Sequence, residues 1–418
     1  MKKPSILFVM NTMGQAGAEM ALISMLRKID PEEYDISLYV LLGQGELFDR
    51  VPDYVHILNR QYSTYSVLSM KGLTQIALRV MHRALRHFSV ITWLPYFIRN
   101  YRIMRKKKRV QLDKLLWKLL ADGSRRFRKE YDMAVSFIEG ASTYYVGRHV
   151  RAKHKIAYVH VDYALAGYTT DLDGDVYDRF DEVYAISDEV KKGFLKVHPE
   201  CLQKTQVFHN ILDQANIRKL SLEGDGFDDD FDGIRLLTVG RLNVQKAYEI
   251  AIEALALVRE AGYNVKWYAM GEGSMREDYE RKIIKRGLKD DFILMGKRDN
   301  PYPYYRTCDI YVHATRFEGK SIAVQEAQTL GCPIIVSDVN GNREQVENGV
   351  DGLICALNPR AVANAIIYMI ENSKERARLG DTARMKELEH ANELQALLEK
   401  AKGDQSVEEG FVNYYTGV

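Results

Sequence analysis

Cysteine is scarce in this chain: four in 418 residues, at Cys201, Cys308, Cys332 and Cys355. Their spacing matches no metal-ligand pattern. Three lie in or beside apolar runs, where a buried free thiol is the ordinary state, which points to a reducing compartment. No apolar run reaches the roughly 18 residues of a membrane-spanning helix. The opening Met-Lys-Lys-Pro-Ser leads into Ile6–Met10, too short for a secretory core and suited to a first strand, so a cytoplasmic location is expected. Net charge is only +2, which removes any global attraction to polyanions. The glycine-bearing turn after that first strand lacks G-x-G-x-x-G, which disfavours a dinucleotide oxidoreductase.

What is present is ordinary for a soluble globular chain, 46% hydrophobic and 28% charged. The length suits about two to three domains with large cores. Strand-like runs recur through the first half: Ile6–Met10, Ile36–Leu42, Met133–Ile138, Ile156–His160, Val183–Ile186 and Thr205–Phe208. A second series comprises Arg235–Val239, Val265–Met270, Phe292–Met295, Ile310–His313 and Pro333–Val336. Their continuous apolar character suits strands covered on both faces, hence parallel sheets. Helical patterns separate them, the clearest over Gln245–Glu260 with Gly262 where a left-handed cap falls. Two alternating series predict two Rossmann-like α/β domains. The first spans 1–220, an acidic, glycine-bearing linker spans 221–233, and the second spans 234–400. The aromatics Phe411, Tyr414 and Tyr415 suggest that 401–418 docks back on the first domain.

One region breaks the rhythm. Residues 71–130 hold 17 Lys+Arg against 3 Asp+Glu. Phe88, Trp93, Tyr96 and Phe97 are interleaved, within a helical insertion over about 65–130. Basic charge beside an aromatic stretch describes an interfacial helix. An amphipathic insertion with a solvated basic face and a nucleic-acid patch are the alternatives. Peripheral membrane contact is favoured, at the inner face of the plasma membrane, and no nucleic-acid partner is expected.

The chemistry concentrates in the second series. Glu318 and Glu326 stand eight positions apart. Glu318 lies on a strand-to-helix loop and Glu326 on the helix that follows. Such a loop aims unpaired N-terminal amides at an anion. Two acids flanking an anion site suit a ligand with both phosphate and hydroxyls. Arg241 and Lys246 follow the first strand of this series, at the carboxyl edge where open α/β sheets bind ligands, and can neutralise a diphosphate.

The set Gly240-Arg241-Leu242 with Gln245-Lys246, Gly271-Glu272-Gly273, Phe317-Glu318-Gly319 with Glu326-Ala327, and Pro333 with Ser337-Asp338 resembles family 4 of the retaining glycosyltransferases. The resemblance implies the GT-B fold, two Rossmann-like domains facing each other across a cleft, here with the basic helical insertion in the first. It implies that Arg241 and Lys246 clamp the donor diphosphate and that Glu318 contacts the donor sugar hydroxyls. Backbone amides near Gly319, Lys320, Ser321 and Ile322 would cradle the diphosphate, and Glu326 would bond the ribose hydroxyls. Gly14 and Gly17, in the loop after the first strand, would lie under the diphosphate beside the acceptor. His160 resembles in position the family's histidine at the donor sugar, which implies a catalytic role for it. Glu139, at another strand end, is an acceptor-site candidate, and His209-Asn210 suits a loop contact. Two departures stand out: Ala247 where many members have glycine, and Lys320 where many have an apolar residue.

The expected reaction, as the resemblance implies it, is transfer of a hexose from a nucleoside diphosphate sugar, UDP-linked by frequency in the family, with retention of configuration. The acceptor would be a glycan or lipid-linked sugar in cell-surface polysaccharide assembly. Cations and dipoles can meet the phosphate charge, so neither metal nor other cofactor is expected. The rival readings are a sugar-phosphate enzyme of the same architecture and a non-catalytic GT-B partner subunit; the presence of Arg241, Lys246, Glu318 and Glu326 argues against the latter.

Overall fold

Strands that are apolar on both faces need cover on both faces, and helices provide it in two separate sheets. The computed structural model describes residues 2–67, 69–85, 89–106 and 111–403. The chain forms two compact units: the first runs to Ile211 and resumes at His390, and the second is Leu212–Glu389.

The first unit contains β1 (Ser5–Met10), β2 (Asp35–Val40), β3 (His56–Ile57), β4 (Glu130–Ser136), β5 (Arg151–Val159), β6 (Glu182–Ala185) and β7 (Thr205–Val207). All pair in parallel, in the order β3-β2-β1-β4-β5-β6-β7. The second unit contains β8 (Ile234–Val239), β9 (Val265–Met270), β10 (Phe292–Gly296), β11 (Ile310–His313), β12 (Ile334–Ser337) and β13 (Leu353–Cys355). It is also parallel, in the order β10-β9-β8-β11-β12-β13. In each sheet the first strand is flanked by the second and the fourth of its series. The strand order therefore reverses beside β1 and beside β8, and ligands of open α/β sheets bind at the carboxyl ends flanking such a switch.

Each unit has its own apolar core. In the second, Trp267 of β9 is fully buried and its Nε1 donates to Thr238 Oγ1 (2.9 Å), which donates to the carbonyl of Val312 (2.7 Å). One threonine thus stitches β9, β8 and β11 together directly below the switch. Among the cysteines, all four are free thiols, Cys201 and Cys332 buried.

The boundaries differ from those expected at 220/221 and 400. The helix Gln214–Leu220 belongs to the second unit, where Gln214 Nε2 donates to Thr329 Oγ1 (3.3 Å) and to the carbonyl of Lys386 (3.2 Å). The acidic stretch over 223–232 is likewise held there rather than spanning between domains. Asp229 accepts from Arg235 Nη2 (2.9 Å), and Phe227 packs on Tyr268 with ring centroids 4.4 Å apart. The chain re-enters the first unit ten residues earlier than 400. In the helix Ala391–Lys402, Lys400 Nζ donates to Glu182 Oε1 (2.7 Å) and Tyr184 Oη (2.8 Å), and Lys402 Nζ to Glu33 Oε2 (3.0 Å). Phe411, Tyr414 and Tyr415 lie outside the described residues.

After α1 (Gly17–Lys28), the basic insertion forms α2 (Met70–Leu85), α3 (Ser89–Lys106) and α4 (Leu112–Asp122), between β3 and β4. Two of its cations are not on a solvated face. Lys114 and Lys118 are buried; Lys114 Nζ lies 3.6 Å from the Tyr168 ring centroid and Lys118 Nζ 4.3 Å from that of Tyr96. Burial lowers the Lys118 pKa to about 8, while the aromatic faces compensate the retained charge. The exposed apolar side chains lie elsewhere: Met70, Leu73, Leu78 and Met81 on α2, and Leu94, Ile98 and Tyr101 on α3. Among the described residues, no helix is long and apolar enough to cross a membrane.

Candidate active site

The site in the second unit is assembled from the two loops that leave the switch, one after β8 and one after β11. After β8 the chain does not enter its helix directly. Asn243 caps a short turn, Val244–Lys246, by accepting from the Lys246 amide (3.1 Å), and Ala247 is left-handed (φ 45°, ψ 37°) before the helix Tyr248–Glu260 begins. The helix expected from Gln245 therefore starts later, and Lys246 stands on the turn. Gly262 does close the helix as expected, at φ +90°, with the Tyr263 amide donating to the Val258 carbonyl (3.3 Å).

After β11 the loop is held from three directions. Thr315 N donates to Ser337 Oγ (2.9 Å), Thr315 Oγ1 to the Phe317 carbonyl (3.0 Å), and Gln245 Nε2 to that same carbonyl (2.8 Å). Gly341 completes the seat: a Cβ there would lie 2.3 Å from the Gly319 carbonyl oxygen and 2.4 Å from that of Glu318. Only glycine permits this approach.

This anchoring brings Lys246 and Glu318 into direct contact, with their side chains 15% and 14% exposed. A third residue joins them. His313, fully buried at the end of β11, has Nε2 3.2 Å from Glu318 Oε2 and 3.2 Å from Lys246 Nζ. Its Nδ1 lies 3.2 Å from Tyr311 Oη. Burial opposes ionisation of Glu318, yet Lys246 and His313 outweigh it and hold the carboxyl at about 2. Burial, seconded by Lys246, depresses His313 to about 4, so the ring is neutral at pH 7. Arg241, in the loop directly after β8, is exposed, and its guanidinium has no side-chain partner among the described residues.

Glu326 lies on the helix Ile322–Thr329 and is buried, where it accepts from Tyr302 Oη (3.1 Å) and Tyr305 Oη (3.1 Å). The helix start differs in part from expectation. The Ser321 amide already donates to Gln345 Oε1 (2.7 Å), while Gln345 Nε2 donates back to the Ser321 carbonyl (2.9 Å). Ser321 is thus a braced residue, not an open amide. The Ser321 side chain makes no cap, and the following amides, from Ile322 onward, are those of an uncapped first turn. Gly319 and Lys320 precede it in the loop.

Gly14, Gly17, Glu139 and His160 belong to the first unit, at the carboxyl edge of its sheet. Gly14 lies in the loop after β1 and Gly17 opens the helix Gly17–Lys28. Asn11 bridges the switch: its Nδ2 donates to the Glu139 carbonyl (3.2 Å) and its Oδ1 accepts from Ser142 N (2.9 Å). Glu139 Oε2 accepts from His160 N (2.9 Å), so this acid ties the ends of β4 and β5 together. Burial pushes its carboxyl pKa up. The His160 ring packs beside Phe137 (5.4 Å between centroids) and Tyr158 (6.0 Å), and burial lowers its pKa to about 4. Its Nε2 has no partner among the described residues.

His209 is a contact residue. Its N donates to Glu393 Oε2 (2.6 Å) and its Nδ1 bonds Glu393 Oε1 (2.6 Å). Among the described residues, His209, His390 and Glu393 form the group with metal-type donors within 4.8 Å of one another. The two imidazoles stack at 4.5 Å and 19°, and one ion cannot lie in both ring planes, so the trio reads as a clamp.

Motif spacing located Arg241, Lys246, Glu318 and Glu326 but not His313, Tyr302, Tyr305 or Gln345. His313 closes an apolar run and reads there as the polar end of a strand. The tyrosines, in Tyr-Pro-Tyr-Tyr, read as core.

Comparison with known proteins decides the class of the second unit. Residues 230–386 match the family described as glycosyl transferases group 1. This unit is a glycosyl transferases group 1 domain. The candidate residues Arg241, Lys246, His313, Glu318 and Glu326 all fall within the match. The chain is 28% identical over 176 residues to the Campylobacter jejuni N-acetylgalactosamine-N,N'-diacetylbacillosaminyl-diphospho-undecaprenol 4-alpha-N-acetylgalactosaminyltransferase, covering 42% of this chain and 46% of that one. It is 32% identical over 138 residues to the Escherichia coli UDP-Gal:alpha-D-GlcNAc-diphosphoundecaprenol alpha-1,3-galactosyltransferase, covering 32% and 36%. The chain spans less than half the length of these curated relatives. Over nearly its whole length it shares its fold with Anabaena Alr3699/HepE, solved in complex with UDP (TM-score 0.63, 18% identity, 95% of this chain and 99% of that one). The group 1 domain is therefore one of two Rossmann-like units in a fold of the GT-B type, as expected.

Proposed function

We propose that the protein is a retaining glycosyltransferase that transfers a hexose from a UDP-linked donor to a lipid-linked or glycan acceptor. The observation that carries this reading is the Lys246–Glu318 pair at the sheet switch, with Arg241 exposed on the same β8 loop. Lys246 and Arg241 meet the diphosphate, Glu318 the sugar hydroxyls, and Glu326, oriented by two tyrosines, the ribose. As the glycosidic bond breaks, charge grows on the leaving phosphate oxygen. Preorganised cations aimed there lower the barrier most. That oxygen can take the acceptor proton on the same face, so no enzyme nucleophile is needed and configuration is retained. The residues present need no metal to balance the diphosphate.

Two observations support a lipid-linked acceptor. The Campylobacter and E. coli relatives are both named for diphospho-undecaprenol substrates. The exposed apolar side chains of α2 and α3 are accompanied by exposed Lys71, Arg102 and Arg105, a combination that suits an anionic membrane surface. Both support a role at the inner face of the plasma membrane in polysaccharide assembly.

The test is a binding and hydrolysis screen across UDP-, GDP- and ADP-sugars, followed by NMR of the product anomer. Selective turnover of a UDP-sugar with unchanged anomeric configuration is expected; an inverted product, or phosphate-dependent cleavage, sinks the reading. Sedimentation with anionic vesicles, lost on Leu94→Glu/Ile98→Glu, tests the membrane contact.

A further inference from the structure

His313 is not among the residues that the motifs single out, yet it touches both members of the pair they predict. The ring is buried and sits at the end of β11, a strand fixed on both sides by β8 and β12. Its position is therefore set by the sheet, whereas Lys246 and Glu318 ride on loops. The titratable groups facing it are Tyr311 on its own strand, Lys246 from the turn after β8 and Glu318 from the loop after β11.

Consider what binding a donor does to this trio. In this structure Lys246 and Glu318 neutralise each other. A lysine cannot satisfy a diphosphate while fully committed to a carboxylate. When it turns to the phosphates, Glu318 loses its cation in a site that is nearly closed to water, and a buried carboxylate without a partner is driven towards its neutral form. A neutral carboxyl would present the donor sugar with a different hydrogen-bonding pattern. Among the described residues, one group remains in reach of Glu318 Oε2: His313 Nε2, at 3.2 Å. A neutral imidazole carries one proton, and its other nitrogen decides where that proton sits. With the Tyr311 hydroxyl donating to Nδ1, Nε2 bears the proton and donates to Glu318.

We propose that His313 is a positioning residue for the transfer reaction, its Nε2–H keeping Glu318 oriented and ionised once Lys246 engages the diphosphate. The inference rests on the reading of Lys246 and Glu318 as donor contacts given under Proposed function. It goes beyond that reading in naming the group that takes over from the lysine.

The experiment uses the full chain with a saturating donor and follows kcat against pH, which reports groups in the substrate complex. The parent enzyme is expected to keep a flat kcat from neutrality down to about pH 5. His313→Leu should lower kcat roughly 10- to 100-fold, the range of one preorganised hydrogen bond to a charged group. It should also bring an acidic limb into the range of about pH 5–7, as the unsupported Glu318 protonates. His313→Gln, whose amide can still donate, should restore the flat profile. Should His313→Leu not fold, Tyr311→Phe, which frees the other ring nitrogen, should shift the limb in the same direction. A folded His313→Leu or Tyr311→Phe variant with the parent's pH profile overturns the inference. Lys246→Met separates the two levels. If it keeps full activity, the donor-site reading itself fails. If it loses activity while His313→Leu keeps the parent's flat profile, only the role of His313 fails.

Discussion

Lys246 and Glu318 are 72 residues apart in the chain and form a nearly closed ion pair at the reversal point of one sheet. Removing one member of such a pair exposes the cost of burying the other. Lys246→Met is expected to lower kcat/KM by about 10²–10³, the scale of a lost preorganised charge contact. It should also destabilise the chain by about 3–5 kcal/mol. Adding Glu318→Gln should recover most of the stability and none of the activity. Denaturant titrations and initial rates on the two variants check both halves; a Lys246→Met enzyme with normal turnover removes the lysine from the site.

Tyr302 and Tyr305 point two hydroxyls at one carboxylate, Glu326. Each is a hydrogen bond to a charged acceptor, about 1.5–3 kcal/mol when removed. Tyr305→Phe should therefore weaken UDP binding roughly tenfold or more by calorimetry. Affinity for pyrophosphate alone should stay unchanged, because Glu326 is assigned to the ribose. Equal loss for both ligands would move Glu326 away from that role.

Ala247 occupies a left-handed position (φ 45°), the conformation that glycine adopts most easily. The conformation costs an alanine about 1–2 kcal/mol. Glycine there would forfeit a buried methyl, about 0.8 kcal/mol, and about 0.4–1 kcal/mol through the freer unfolded chain. The terms nearly cancel, so Ala247→Gly should change stability by less than about 1 kcal/mol. Ala254→Gly, in the helix that follows, has no strain to relieve and should cost more than that. Paired denaturation curves decide; an Ala247→Gly loss as large as that of Ala254→Gly would show that the left-handed backbone carries no strain.

The legibility of this chain follows its physics. Runs that are apolar on both faces announced most of the parallel strands, because burial on both faces leaves no polar alternation to misread. β3 and β13, two and three residues long, sit at sheet edges and carry too little apolar sequence to register. Lys114 and Lys118 counted as surface charge, because composition cannot show that aromatic rings cover them. Glu318 and Lys246 were readable as charged residues beside glycine in loops that follow strands. Their partner His313 was not, since its contacts arise from strand order rather than from neighbours in sequence.

Glu182 is held by Lys400 and His154. Burial works against its ionisation, but these contacts hold its carboxyl at about 2. A depressed folded-state pKa means that its stabilisation is complete above the unfolded value of about 4.3 and is lost as pH falls towards 2. Lys400→Met should thus raise the pH midpoint of acid unfolding, followed by circular dichroism, and lower stability at pH 7. Identical acid midpoints would show that this contact contributes nothing.

The return of the chain to its first unit at His390 has a practical corollary for anyone recombining relatives. A second unit taken from a homologue cannot be exchanged by a single cut. The junctions must fall at Ile211/Leu212 and at Glu389/His390, and everything after the second must travel with the amino-terminal portion. A chimera spliced once would inherit a carboxyl-terminal helix whose Lys400, Lys402 and Glu393 evolved against a different host.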